Sequence, residues 1–349
     1  MDKKTIIQII TIVILSVVLV VLSVITFKEL SMTRMDRGGF GGQMMEEEIE
    51  KDIKKGDVES GEKVNKKTLD LTKYTSNVTL TEAGEYTVTG SFENTLIVDC
   101  DSNVKLLLNN VNITNNAMAA IANIGKGTLT ISLPEGTINN LTDGGSSEYD
   151  ACIYSEAPLV IEGTGTLNVY GKQLEGEGIA TETNNITING GNINIESTDD
   201  GLNAGGDGGV ITINGGNIVI KASGDGIDSN KDLIINGGTV YTMGSSIGGD
   251  AGIDTDGKFE INGGSVIALG SDMLQSPDST SKQKSICFNL AIKISTGANV
   301  IVKDTSGKEI ANFEAKESFK TLIVSNINVV NETYGIYVNG KVVGNSTAK

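Results

Sequence analysis

The chain has 349 residues, with 44 glycines, 3 prolines and neither Trp nor His. That length suits one elongated repeat domain, or one large domain with a small companion. The formal charge of −17 excludes a nucleic-acid binder, which needs a basic footprint for phosphates, and leaves cations, or acidic polymers reached through cations, as partners.

The first element in chain order is an uncharged run, Ile6 to Phe27, "IIQIITIVILSVVLVVLSVITF". It is long enough to cross a bilayer as a helix, and "SVITFKELS" makes a poor signal-peptide cleavage site. The expectation is an uncleaved single-pass anchor in residues 1–30, with the C-terminal domain extracellular. Residues 31–68 are charged and lack a sustained apolar face, which reads as a flexible linker. A short helix around "MMEEEIEKDIKK" is the alternative for part of it. Residues 69–110 read as hairpin-like strands that lead into a set of repeats.

That repeat dominates the middle of the chain. "INGG" begins at Ile188, Ile213, Ile235 and Ile261, at spacings of 25, 22 and 26 residues, with weaker copies around Ile161 and Ile131. An apolar residue stands two positions before each motif, at Ile186, Ile211, Leu233 and Phe259. A second alternating run comes after each glycine pair, and a third short element recurs at Ile153, Ile179, Leu202, Ile227 and Ile253. Three short strands per repeat is the pattern of a parallel β-helix, in which each strand pairs with its copy about 4.8 Å away in the next turn. Asn189, Asn214, Asn236 and Asn262 would then stack as an amide ladder. The glycines permit positive φ where the chain turns. The pattern breaks after Met273, and residues 286–349 read as a small antiparallel β cap with turns at Thr305-Ser306-Gly307 and Asn339-Gly340. The fold class is therefore all-β: a parallel β-helix over 69–285, a C-terminal antiparallel cap, and one transmembrane helix (6–27) ahead of both. Cys100, Cys152 and Cys287 are odd in number and far apart, which reads as small buried side chains.

The strings "GDGIDSNKDLIINGGTVYTMGS", "AGIDTDGKFEINGGSVIALGS" and "ANFEAKESFKTLIVSN" resemble a bacterial carbohydrate-binding domain-containing protein family. The resemblance implies a right-handed β-helix similar in fold to pectate lyases. It also implies binding of cellulose and acidic, pectin-like sugars, with calcium held between turns. At Ala180, Asn203 and Ala251 this sequence departs from the family's aspartate-rich turns.

Aligning "GEGIATETN", "DDGLNAGGD", "GDGIDSNKD" and "DAGIDTDGK" stacks the acids in columns. One column holds Glu177, Asp200, Asp225 and Ala251. The next holds Ala180, Asn203, Asp228 and Asp254, and a third Glu182, Gly205, Asn230 and Asp256. Two bare carboxylates about 4.8 Å apart repel by about 1 kcal/mol in water and ~3–4 kcal/mol at an effective dielectric near 20. Both arginines, Arg34 and Arg37, lie near the N-terminus and cannot be counted on to neutralise them. Hard oxygen donors at varied angles suit Ca²⁺, so the candidate calcium ligands are Asp200, Asn203, Asp225, Asp228, Asn230, Asp254 and Asp256. No catalytic residue is assigned. The expected function is non-catalytic binding of cellulose or acidic glycans, with Tyr149, Tyr154, Tyr170 and Tyr241 as candidate aromatic platforms. Two alternatives stand beside it: a calcium-dependent lyase using Lys221 or Lys231 as base, and a structural surface adhesin without a sugar ligand.

Overall fold

The computed structural model describes residues 62–63 and 67–349. The expected membrane segment 6–27 and most of the linker lie outside the described residues. Among the described residues, no helix is long and apolar enough to cross a membrane.

A nine-stranded sheet of short parallel strands runs along one side of the molecule, from Glu62–Lys63 to Asp254–Thr255. A 17-stranded sheet forms the remaining sides of the coil. The stacking obeys the repeat. Ile131, Ile161, Ile188, Ile213, Ile235 and Ile261 lie in one parallel column, and all six are fully buried. Ile121, Ile153, Ile179, Leu202 and Ile227 form a second buried column on the opposite wall. Alternation of side chains along each strand sends these residues inward and their neighbours outward. The result is a β-solenoid whose core is a set of aliphatic ladders.

The two glycines of each "INGG" serve different ends. The second, at 191, 216, 238 and 264, has φ between 85° and 101°, a corner that L side chains avoid. The first has ordinary φ, but a Cβ there would come within 2.5 to 3.0 Å of a carbonyl oxygen in the preceding turn. The asparagine ladder forms as expected. Asn214 Nδ2 donates to Asn189 Oδ1 at 2.8 Å, Asn236 to Asn214 at 2.9 Å and Asn262 to Asn236 at 3.2 Å. A second ladder that the repeat alignment passes over runs from Asn194 through Asn168 to Asn140, each step 2.8 Å.

The structure corrects the reading of residues 69–110. These strands are not hairpins: Thr68–Asp70, Gly84–Phe92 and Val104–Thr114 pair in parallel and are themselves turns of the solenoid. Long strands with alternating burial suit either sense of pairing; here Leu69, Val88 and Leu108 stand in one parallel column. At the other end the antiparallel cap forms. Phe319–Ser325 lies between the last solenoid strand, Ser265–Gly270, and Ser285–Ile294, antiparallel to both. A separate antiparallel sheet runs in the order Glu309–Glu314, Asn299–Lys303, Thr333–Val338, Lys341–Thr347. Asn339 and Gly340 take φ of 48° and 80°, the tight turn their identity predicts. All three cysteines are free; Cys100 and Cys152 are buried and Cys287 is half-buried.

Ile235→Ala is expected to lower the unfolding free energy by about 2–5 kcal/mol, because the ladder cannot close around the missing volume. Its outward neighbour Ile234→Ala should cost well under half of that. Urea denaturation of the two variants checks the difference.

Candidate functional site

The solenoid's nine-stranded sheet carries one outward column whose character changes along the axis. Strand register aligns Ile97, Ala122, Tyr154, Ala180, Asn203, Asp228 and Asp254. The first four are buried in a small apolar cluster with Ala119, Ala151 and Tyr149. The last three are half-buried and polar. The acidic edge thus begins where the apolar cover stops.

Beside it runs the second predicted column. Backbone bonds from Gly178 to Asp200, from Gly201 to Asp225 and from Gly226 to Ala251 place Glu177, Asp200, Asp225 and Ala251 in successive turns. Two of the carboxylates lean onto the next turn. Asp200 Oδ1 accepts from the Asp225 amide at 2.7 Å, and Asp225 Oδ1 accepts from the Ala251 amide. Asn203 Nδ2 donates to Asp200 Oδ2 at 3.1 Å, linking the two columns. Asp254 Oδ1 accepts from the Thr255 amide at 2.9 Å.

The electrostatics reflect burial and crowding. Burial raises the Glu177 carboxyl to about 9, with Asp150, Asp200 and Asp199 adding to it. Burial raises Asp200 to about 8, helped by Asp199, Asp225 and Asp228. Asp225 rises to about 7, again through burial first; the Ala251 amide opposes the rise, while Asp254, Asp228 and Asp250 add to it. Asp228 rises to about 6 from burial, Asp254 and Asp256. Burial also raises Asp254, with Asp256 contributing. Oε2 of Glu177 is buried without a hydrogen-bond partner among the described residues.

Five of the seven predicted ligands are therefore drawn together: Asp200, Asn203, Asp225, Asp228 and Asp254. Asn230 and Asp256 are exposed at the rim. Sequence alignment passed over Asp150, Asp199 and Asp250, which share a further column with Gly176 and Gly224. The signal was present as alternation, since acid and glycine succeed each other turn by turn. A Cβ at Gly224 would collide with Oδ1 of both Asp199 and Asp200, so the glycine is what admits two carboxylates side by side. The side chains gathered there offer hard oxygen donors, the type a divalent cation takes. Among the described residues, however, no three His, Cys, Asp or Glu side chains close on one point to hold a metal.

The aromatic platforms fare differently. Tyr149 and Tyr154 are 4% and 5% exposed. They pack on each other at 4.9 Å between ring centroids, so neither offers a face to a ligand. Tyr241 is half-buried against Phe313 at 5.9 Å. Tyr170 is half-buried, with Lys172 Nζ 5.7 Å from its ring centroid. Lys221, one of the two candidate bases, pairs with Glu317 at 2.8 Å, and that hydrogen bond raises its pKa, the wrong direction for a proton acceptor. Lys231 is exposed.

A raised carboxyl pKa means that the folded state holds its proton more tightly than the unfolded chain does. The resulting stability is complete below the unfolded value, near 4, and is lost as pH climbs through the folded values of about 6 to 9. In EDTA the melting temperature is expected to fall by on the order of 5–10 °C between pH 5 and pH 9. Asp225→Asn keeps an oxygen for the Ala251 amide while removing the charge, and should flatten the fall. Thermal melts across that range test both.

Comparison with known proteins places these features in context. The family described as carbohydrate-binding domain-containing protein matches residues 74–310. A carbohydrate-binding domain-containing protein of Acetivibrio thermocellus is 32% identical over 148 residues, 39% of this chain and 51% of that protein. The chain thus spans about half the length of that relative. A solved structure, the polysaccharide lyase-like protein from C. thermocellum as a gadolinium derivative, aligns with a TM-score of 0.46 and 27% identity. That alignment covers 61% of this chain and 96% of that one.

Proposed function

The chain belongs to the carbohydrate-binding domain-containing protein family, and on that premise we propose that it binds a polysaccharide, cellulose or an acidic pectin-like glycan, on a calcium-stabilised right-handed β-helix. The observation that carries the reading is the acidic edge itself. Carboxylates from successive turns sit half-buried beside one another, and the charges that most affect Asp200 and Asp228 are all negative. Such an edge is costly to keep ionised at neutral pH. A hard cation relieves that cost, and Asp199, Asp200, Asp225, Asp228 and Asp254 with the Asn203 amide are the residues that would hold it. Because no three acids among the described residues close on one point, a cation here would complete its shell with backbone, water or ligand oxygens. Uronate carboxylates are ligands of that kind, which joins the stabilising role to acidic-sugar recognition. The regular face of the solenoid repeats on the scale of an extended glycan and offers Asn and Thr side chains for hydroxyl groups.

Binding rather than cleavage is favoured by the state of Lys221. Its ammonium is held by Glu317, and elimination from a uronate needs a base whose proton comes off near the working pH. The proposed setting is the cell surface, with residues 6–27 as a single-pass membrane anchor and the solenoid extracellular.

With millimolar calcium, the full-length protein is expected to stay on a polygalacturonate or cellulose affinity gel and to release no unsaturated sugar absorbing in the near ultraviolet. EDTA should weaken retention on polygalacturonate and lower the melting temperature. Asp228→Ala should remove much of the calcium-dependent part of both. Growth of the ultraviolet absorbance that depends on calcium would make the protein a lyase. Retention on neither polymer would leave a structural surface protein.

A further inference from the structure

The antiparallel sheet of the cap holds a second polar cleft, far along the chain from the acidic edge. It is shallow and open to solvent, with room for about 330 Å³, and is lined by Asp304, Ser306, Thr333, Gly335, Tyr337 and Asn345, among others. That volume is at the lower end of ordinary small-molecule sites. Thr333, Gly335, Tyr337 and Asn345 lie beyond residue 310, where the family match ends.

Gly335 organises the cleft. It sits inside the strand Thr333–Val338, opposite Lys303 on one side and Asn345 on the other. Its φ is not in the left-handed region, so backbone geometry does not demand a glycine. A glycine inside a strand weakens the strand and often marks a close approach. Here a Cβ would stand 3.1 Å from Tyr337 Cε2 and 3.3 Å from Asn345 Oδ1. The missing side chain lets an aromatic ring and an amide line one hollow. Tyr334 and Ile336, on the other face of the strand, are buried and anchor it. Thr333 adds a hydroxyl, 3.0 Å from the Thr347 hydroxyl.

The charges narrow the ligand. Asp304 Oδ1 accepts from the Ser306 amide at 2.9 Å, the Ser306 hydroxyl at 2.6 Å and the Lys308 amide at 2.9 Å. The Ser306 hydroxyl, chief among these, holds its carboxyl below the usual range, so it stays ionised. Of the nearby cations, Lys308 adds to the lowering of Asp304, while Lys303 is tied to Glu309 at 3.3 Å and rests 5.5 Å from the Tyr337 ring centroid. An ionised carboxylate repels an anionic ligand and accepts hydrogen bonds from hydroxyl groups. An aromatic face beside an amide, a hydroxyl and a carboxylate suits a pyranose, whose C–H face is apolar and whose rim is polyhydroxylated.

We propose that this cleft is a neutral-sugar subsite, taking one hexopyranose unit on Tyr337 with its hydroxyls on Asp304, Thr333 and Asn345. The inference rests on the polysaccharide-binding reading for its ligand class, but not on the acidic edge or on calcium. It gives the chain two recognition points of opposite preference: an acidic edge reaching uronates through a cation, and a cap cleft holding a neutral sugar without one.

The test is calorimetric titration of the full-length protein with cellotetraose in EDTA, alongside polygalacturonate retention in calcium. The expected result is cellotetraose binding that persists in EDTA and falls at least tenfold in Tyr337→Ala and in Gly335→Val. Asn345→Ala, at an exposed position, should weaken it as well and guards against misfolding of the other two. All three should keep wild-type polygalacturonate retention. Cellotetraose binding that survives Tyr337→Ala and Asn345→Ala unchanged overturns the subsite. So does absence of wild-type binding to cellotetraose. In either case, polygalacturonate retention shows whether the broader reading stands.

Discussion

Parallel stacking in register is the constraint on which this structure depends. Each residue in a solenoid strand meets the residue at the same position one turn away, at about 4.8 Å. Like therefore meets like wherever the repeat is faithful. For isoleucine this is favourable: the column from Ile131 to Ile261 is fully buried and its members pack against one another. For asparagine it is also favourable, because an amide is donor and acceptor at once, and the column from Asn189 to Asn262 bonds along its length. For carboxylates it is unfavourable, because both oxygens are acceptors once ionised.

The acidic edge contains three devices that ease this conflict. Carboxylates are tilted onto backbone amides of the next turn, as Asp200 is onto Asp225. Asn203 replaces one acid and donates to Asp200. Glycine alternates with aspartate in the column of Asp150, Asp199 and Asp250, so that Gly224 gives room to two carboxylates. What remains is a row of acids whose proton affinity is raised by burial. An edge of this kind gives up stability at neutral pH in keeping these oxygens side by side.

The cap solves a different problem. A solenoid ends in unpaired strand edges, which invite pairing with other chains. Phe319–Ser325 lies against the last parallel strand in the antiparallel sense and blocks further stacking there. Phe319 and Leu322 are buried with Met243, Leu269 and Phe288, so the cap has an apolar core continuous with the last turns. Tyr241 and Lys221, on outward positions of the solenoid, are taken up by this junction through Phe313 and Glu317. The cap's own sheet keeps its other face open, and there Gly335 leaves a hollow between strands.

The repeat, the aliphatic columns, the "INGG" asparagine ladder and most of the acidic edge were legible in the sequence. The physical reason is that in-register stacking turns a spacing of 22 to 26 residues into direct contact, so the sequence period names the spatial neighbour. Asp200, Asp225, Asp228 and Asp254 could be placed on that basis alone. Tertiary structure decided whatever departs from the period. Glycine-for-acid alternation hid Asp150, Asp199 and Asp250 from an alignment that looked for identity. Residues 69–110 stack in parallel because the strands above them do, which local alternation does not specify. Tyr149 and Tyr154 are buried against each other and among small residues of neighbouring turns, a burial that the outward position of Tyr154 does not announce. The cleft at Gly335 joins Asp304 to Asn345, residues brought together only when the strands of the cap pair antiparallel across loops of unequal length. Contacts of that kind carry no periodic signature, because each is made once.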